Sequence, residues 1–346
     1  MRNETRLLWN AYTARIAALN GVPDVSTKFT VTPTVAQKIE QKVQLSSQFL
    51  SRINFEPVVQ QEGEKVGLGI TSTIAGRTDT SGGTRRNPID PTDTTGRSYR
   101  CEQTNFDTAI RYAKLDAWAH KPEFQTIIRD AIATRKGLDR MMIGWNGTSV
   151  AATTNRTNNP LLQDVNKGWL KNLLDQAPEQ IMSHGSLDED KIYVAATGDA
   201  DYVNLDALVF DLIEVLEEPF RDDTQLVAIV GRDLVHDKYF NIVNAAGDDA
   251  EKQLARDVIL STKKLGGLPA VRVPYFPAGK IAVTRLDNLS IYAQEGTERR
   301  AIIDQPDLDR IADFGSVNEA YVVEENGLMA VAENITMAAK EAEGDV

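Results

Sequence analysis

The sequence predicts an α+β protein, and three stretches of the chain carry that prediction. Residues 122 to 146 keep a helical period of apolar side chains, enough for a helix of about 35–40 Å. Between 165 and 268, helical patterns alternate with the buried strand-like run QLVAIVG, which is typical of an α/β lobe. From 269 onward, short β-type runs are separated by turn residues, which indicates a sheet built at the end of the chain.

The N-terminal segment predicts a helix tethered to the rest of the chain rather than built into its core. Residues 4 to 19 are amphipathic, and the run NGVPD ends the pattern. A second helical pattern with an N-cap at Thr34 follows the linker. The first helix is therefore either an ordinary packed helix or an arm. Its predicted apolar face consists of Leu8, Tyr12, Ile16 and Leu19.

The longest polar stretch of the chain is GITSTIAGRTDTSGGTRRNPIDPTDTTGRSYRC, residues 69 to 101. It lies between the strand-like runs EKVGLGI and YRCEQTNFD. Loops of this length are uncommon in compact domains and usually serve as lids, binding loops or arms, or are disordered. The flanking strands favour an extended two-stranded excursion with a polar tip.

The long helix is the strongest single prediction. Pro122 suits the first helical position. The Met and Trp residues of this helix are more typical of a hydrophobic core than of a ligand site. The residues expected to form its buried face include Phe124, Ile128, Ile132, Met142 and Trp145.

Charge is distributed unevenly along the chain. Residues 1 to 150 hold 20 Lys/Arg and 15 Asp/Glu, whereas residues 151 to 346 hold 18 and 35, so the two parts carry +5 and −17. An acidic second half argues against nucleic-acid binding there, because phosphate contacts need Lys and Arg. The sequence shows no apolar run of membrane-spanning length and no secretory signal, and its single Cys101 fits a reducing cytosol.

A search for catalytic chemistry finds no motif. The phosphate-binding glycine loops, the nucleophile elbow, the EF-hand pattern and zinc-ligand spacings are all missing from the sequence. The three histidines are far apart, and Cys101 in a strand is more typical of a small core residue than of a nucleophile. The sequence therefore predicts no catalytic residue, no cofactor and no metal.

Several collinear blocks carry a family resemblance. They are MRNETR, LSRIN, EKVGLGI, SGGTRRNP, CEQTNFD, IRYAKLDAWA, NPLLQDVNKGWL, YFNIVN and LPAVRVPYFPAGKIAVTRLDNLSIY. In this order they resemble the major capsid protein of tailed phages, in particular the subgroup of the temperate coliphage P2. The resemblance runs from the first residue to about residue 330 and is looser around 76–98, 184–200 and 243–256.

The resemblance implies the HK-ninety-seven-like fold shared by tailed-phage and herpesvirus capsids. In that fold a peripheral domain carries a long spine helix, an axial domain lies at the centre of each hexamer or pentamer, and an extended hairpin called the E-loop reaches over a neighbouring subunit. The implied parts are an N-terminal arm (1–33), a peripheral domain (34–57 and 106–164, with the spine helix at 122–146), the E-loop (58–105), the axial domain (165–268), the peripheral sheet and return strands (269–336) and a tail (337–346).

The same resemblance implies how the chain is used. It implies a non-enzymatic shell subunit of the virion that is assembled in the host cytoplasm without a membrane. Its implied partners are copies of itself, a scaffolding protein, a maturation protease, a portal protein and enclosed double-stranded DNA without sequence-specific contacts. Residues expected to make E-loop contacts between subunits are Arg77, Asp79, Arg85, Arg86, Asp90, Asp93 and Arg97. Removal of the arm would cut near Phe29, Thr30, Val31 and Thr32.

Two other classes of protein remain as alternatives. A soluble cytosolic α/β enzyme could use residues 69–101 as an active-site lid, but the sequence offers no group of polar residues for a lid to cover. A scaffold or tail-tube protein is a further alternative. Scaffolds tend to be mostly helical and tube proteins lack a spine helix, whereas this chain predicts a long helix and a terminal sheet.

Overall fold

The computed structural model describes residues 1–65, 75–83, 85–86, 88, 97–121, 124–234 and 264–340. Within them the mixture of helices and sheets confirms the α+β prediction. The helices are α1 (Asn3–Asn20), α2 (Pro33–Gln44), α3 (Tyr112–Trp118), α4 (Phe124–Asn146), α5 (Trp169–Gln176) and α6 (Leu205–Val215). The helical patterns predicted between 235 and 263 lie outside the described residues.

The strands are more numerous and mostly short. Before the spine helix they are β1 (Phe29–Thr30), β2 (Asn54–Val58), β3 (Glu62–Lys65), β4 (Arg97–Arg100), β5 (Glu102–Asn105) and β6 (Thr108–Arg111). The middle of the chain adds β7 (Ile181–Met182), β8 (Ile192–Tyr193), β9 (Val227–Val230) and β10 (Lys264–Leu265). The last part adds β11 (Leu268–Arg272), β12 (Ile281–Thr284), β13 (Leu289–Gln294), β14 (Arg299–Gln305), β15 (Arg310–Val323), β16 (Ala330–Ala332) and β17 (Ile335–Thr336).

The larger sheet is organised around the 14-residue strand β15. Its strand order is β1-β14-β15-β13-β2, and β5 and β6 also pair with β15. The strands around β15 are antiparallel, whereas β2 joins β13 in parallel. Strands from the start and the end of the chain therefore share one sheet, which ties the N-terminal segment to the predicted terminal sheet.

The second sheet has the order β10-β11-β9-β12-β16-β7. Helix α6 packs on it through the fully buried side chains of Leu208, Val209 and Leu212. Asn204 caps this helix by accepting a hydrogen bond from the Ala207 amide at 2.9 Å. Strands from both sides of residue 268 share this sheet, so the predicted boundary between axial and peripheral domains runs through it.

The spine helix α4 spans 23 residues and joins the two sheets. Ile128, Met142 and Trp145 are buried as predicted, and Ile132 is half-buried. The side chain of Phe124 lies outside the described residues. Gly144 allows close packing with α5, because a Cβ atom there would lie 2.3 Å from the Trp169 ring.

An aromatic cluster fills the space beside the C-terminal end of α4. The Trp145 ring lies 4.9 Å from the Trp169 ring and 4.9 Å from the Phe276 ring, both edge-on. The Trp169 indole donates to the Ser290 carbonyl of β13 at 3.0 Å. Such rings contribute area burial and favourable edge contacts together, so this cluster fixes the helix against the sheets.

The N-terminal helix is not outside the core. Trp9 and Ile16 of α1 are buried against Tyr112, Leu115 and Ile302. The predicted apolar face was wrong in part, because Leu8 and Leu19 are 39% and 55% exposed. Trp9, which the predicted face omits, carries the packing instead.

Candidate assembly surfaces

The root of the E-loop is an antiparallel hairpin of β3 and β4. Register runs from Glu62 opposite Arg100 to Lys65 opposite Arg97. The Tyr99 ring packs edge-on against Tyr292 of β13 at 4.9 Å, and Gly63 leaves room for it. The root of the predicted hairpin is therefore a pair of strands held against the large sheet.

Cys101 directly follows β4 and packs at the base of this hairpin root. Its amide donates to the Gln61 carbonyl at 2.7 Å, and the side chain is fully buried beside Ala320 and Val322. Burial raises the pKa of the Cys101 thiol to about 12, and the Glu319 and Glu102 carboxylates add to the shift. A neutral thiol of this kind is a packing residue and a poor nucleophile.

The predicted E-loop contact residues fall into two groups. Arg77, Asp79, Arg85 and Arg86 are exposed. Asp79 accepts from the Ser81 amide at 2.9 Å and from its hydroxyl at 2.6 Å, and these bonds lower the pKa of the carboxyl. Asp90, Asp93 and the side chain of Arg97 lie outside the described residues. The intersubunit role of all seven therefore stays a prediction.

The arm is docked on the fold by the start of its helix and by a strand, and a further contact lies within the arm. At one end, the Arg2 amide donates to Asp116 and the Arg6 guanidinium donates to Asp304, each at 2.9 Å. Burial alone would raise the pKa of Asp304, but hydrogen bonds from Tyr112 and Arg6 outweigh it and hold the pKa below its usual range. At the other end, Asn20 accepts from the Thr32 amide at 3.1 Å.

The predicted cleavage segment extends the edge of the large sheet. Phe29 and Thr30 pair with Arg300 and Arg299 as β1, and the Val31 amide donates to the Glu298 carbonyl at 2.8 Å. The side chains of Phe29 and Val31 are buried, and Thr32 is half-buried. A protease needs an accessible extended segment, so cutting here requires this strand to leave the sheet first.

A buried ion network crosses the fold at the middle of the spine helix. Arg140 of α4 is 1% exposed and donates to Glu319 of β15, with Nε–O distances of 3.1 and 3.2 Å, and to Glu40 of α2 at 2.5 Å. Burial alone lowers the pKa of Arg140, but both carboxylates outweigh it and raise the pKa. Its guanidinium also lies 5.2 Å from the centre of the Phe55 ring.

No sequence pattern described above predicts this network. Helical spacing nevertheless indicates that Arg140 is buried, because it places Arg140 on the same stripe of the helix as the buried residues Ala133, Gly137 and Gly144. A charged residue on such a stripe must find a buried partner. The sequence could not say which of the many carboxylates supplies it.

No catalytic or metal site is visible in the described residues. They include no group of three or more His, Cys, Asp or Glu side chains placed to hold a metal ion. No helix in the described part of the chain is long and apolar enough to cross a membrane. The features that stand out are instead surfaces: the hairpin root, the docked arm and the clefts beside α2.

A spine helix between two sheets, with a hairpin leaving the larger one, defines the HK-ninety-seven-like class of phage capsid proteins. A solved chain from the capsid of an empty GTA particle has this fold, with a TM-score of 0.52 at 13% identity over 85% of this chain and 90% of that one. Residues 8–335 match the family model for the phage major capsid protein, P2 family. The chain belongs to that family.

Individual relatives agree over nearly the whole length. The chain is 48% identical to the capsid protein of Escherichia phage P2 over 343 residues, covering 97% of this chain and 95% of the relative. It is 40% identical to the major capsid protein of Serratia phage KSP20, covering 99% of each. A chain of the satellite phage P4 procapsid, which includes the size determination (Sid) protein, superimposes with a TM-score of 0.80 at 44% identity, covering 98% and 99%.

Proposed function

We propose that the chain is a structural, non-enzymatic subunit that assembles as hexamers and pentamers into the icosahedral head of a tailed phage. The observation that carries this proposal is the end-to-end likeness to the P4 procapsid chain. The paired hairpin root and the docked arm support it, because both place extended segments where a neighbouring subunit can cover them. The lid-bearing enzyme has less support, because no catalytic motif accompanies residues 69–101 and the relatives that match the chain along its length are named as capsid proteins.

We further propose the partners that the family resemblance implies. The E-loop would lie on a neighbouring subunit, where exposed charges such as Arg77 and Asp79 form intersubunit pairs of about 0–1 kcal/mol each. The arm would meet the scaffolding protein and be cut near residues 29–32 by a maturation protease once β1 leaves the sheet. A portal protein would occupy one vertex, and assembly would take place in the bacterial cytoplasm.

The enclosed DNA would be held by closure of the shell rather than by basic patches. The chain carries a net charge of −12, and its second half is strongly acidic. Phosphate contacts dominate protein–DNA affinity, so an acidic subunit binds duplex weakly at physiological salt. Tight, salt-sensitive binding of duplex DNA by isolated subunits would contradict this part of the proposal.

Negative-stain electron microscopy with size-exclusion chromatography tests the proposal. The chain is produced alone and together with the adjacent phage genes, and the products are compared. Rings of five or six subunits, or closed shells, are the expected result. A strict monomer or dimer under every condition would refute the assembly function.

A further inference from the structure

A cleft of about 410 Å³ lies between α1, α2, α4 and the β14–β15 part of the large sheet. Its apolar lining comes from all of these elements and includes Val31, Val35, Ile39, Ile132 and Val317. Among the described residues of helix α2, Val43 is the one fully buried side chain. The helix therefore packs only partly on the core. The volume falls in the range of sites that take up ligands or side chains.

The cleft is also strongly basic. Seven Lys and Arg side chains line it, against the two carboxylates Glu298 and Asp313. Four of the seven cations already form ion pairs with neighbouring carboxylates. The other three, Arg15, Lys38 and Arg299, are exposed and have no carboxylate partner within the described part of the chain.

Unpaired cations around an apolar cleft focus a positive potential into it and attract negative groups. The three cations come from different elements, Arg15 from α1, Lys38 from α2 and Arg299 from β14, so they lie around the cleft rather than along one helix. An occupant that satisfies this lining needs carboxylates for the rim and apolar side chains for the interior.

We propose that this cleft binds an acidic, amphipathic peptide segment of an assembly partner. Because the unpaired groups of the cleft are cations, its occupant should carry negative charge. Because the interior of the cleft is apolar, the occupant should also carry apolar side chains. A double helix is too wide to enter a cleft of this volume. The described part of the chain's own E-loop has more Arg than Asp, which makes it a poor match for a basic cleft.

The inference rests on the proposed assembly function and deepens it. Tyr12, Arg15 and Leu19, which form one wall of the cleft, belong to the arm. Removal of the arm would take away that wall and one unpaired cation. The partner would therefore be held by the uncut chain and released when the arm is lost.

The test uses the full chain as unassembled subunits and a fluorescein-labelled peptide of Glu and Leu in amphipathic helical order. Fluorescence anisotropy should show saturable binding. The triple variant Arg15→Glu, Lys38→Glu, Arg299→Glu should weaken it by about tenfold or more, because three charge-assisted contacts become repulsive. The matched control Arg52→Glu alters an exposed cation outside the cleft and should leave binding unchanged.

Four outcomes would overturn the proposal. Three are absence of saturable binding, equal binding by the triple variant and the wild type, and displacement of the peptide by duplex DNA at similar concentration. The fourth is equal affinity for polyglutamate, because the apolar lining would then have no role. All substitutions are at exposed positions, so circular dichroism should show the same fold in every variant. Binding is measured on subunits, so its failure would leave the shell-assembly result standing.

Discussion

At the scale of the residue, the Arg140 network is the most sensitive point of the fold. Replacing Arg140 by Met leaves the fully buried Glu319 carboxylate without its cation. Loss of one partner of a buried ion pair costs about 3–5 kcal/mol. We expect the free energy of unfolding, measured by urea titration of unassembled subunits, to fall by that amount.

Arg135→Met is the matched control for this experiment. Arg135 pairs with Asp139 on the exposed side of the same helix, and exposed pairs contribute about 0–1 kcal/mol. The double variant Arg140→Met, Glu319→Gln should recover part of the loss, since it removes the unpaired charge. Equal small effects at both arginines would contradict the stabilising role of the network.

Cys101 gives a second prediction at this scale. Its thiol is fully buried and its pKa is raised to about 12, so thiolate is scarce at neutral pH. A thiol-specific reagent such as dithiobisnitrobenzoate should label the folded subunit far more slowly than the urea-unfolded chain. Rapid labelling of the folded protein at pH 7 would show that the hairpin root opens in solution.

At the scale of the element, the docked arm is the point where sequence and structure differ most. Periodicity identified α1 and correctly placed Ile16 on the buried face, but it also selected the exposed Leu8 and Leu19 and omitted the buried Trp9. A single amphipathic helix has several apolar side chains, and only the partner surface decides which of them face it. The partner here is formed by α3 and the large sheet, which no local pattern reveals.

Other elements were predictable because their signal is local. The spine helix and α6 keep a helical period over several turns, and the structure confirms Ile128, Met142 and Trp145 as buried. The Arg140 network and the basic cleft could not be predicted in the same way. Each assembles residues from α2, α4 and the terminal sheet, which are distant along the chain.

The docked arm yields its own prediction. Trp9→Ala removes a buried indole, and truncations of this size cost about 3–5 kcal/mol. We expect the arm to detach while the two sheets stay folded. Hydrogen exchange of the Val31 amide, which bonds to Glu298, should accelerate, and protease cutting near residues 29–32 should increase.

Leu7→Ala serves as its control, because Leu7 is 71% exposed on the same helix. It should leave both exchange and cutting unchanged. If Trp9→Ala instead lowered the cooperative unfolding midpoint without selective exchange at residues 25–31, the arm would be an integral part of the core. The proposal of a removable arm would then be wrong.

At the scale of the whole molecule, we expect the core to fold without the excursion that residues 66–96 are predicted to form. Among the described residues, the core clusters on both sheets include none of 75–83, 85–86 and 88. The hairpin root ends with Lys65 opposite Arg97, the last pair of β3 and β4. Replacing residues 66–96 by Asn-Gly would therefore close the hairpin with the two-residue turn that antiparallel strands prefer.

This replacement tests what the excursion does for the assembled shell. We expect the variant subunit to unfold at the same temperature as the wild type, because its core, its Tyr99–Tyr292 contact and its buried Cys101 are kept. We expect it to form no closed shells in negative-stain images, because the surface that we propose lies on a neighbouring subunit would be gone. Deletion of residues 341–346 is the control for truncation and should leave assembly intact. Normal shells from the hairpin variant would mean that contacts made by the core alone close the head.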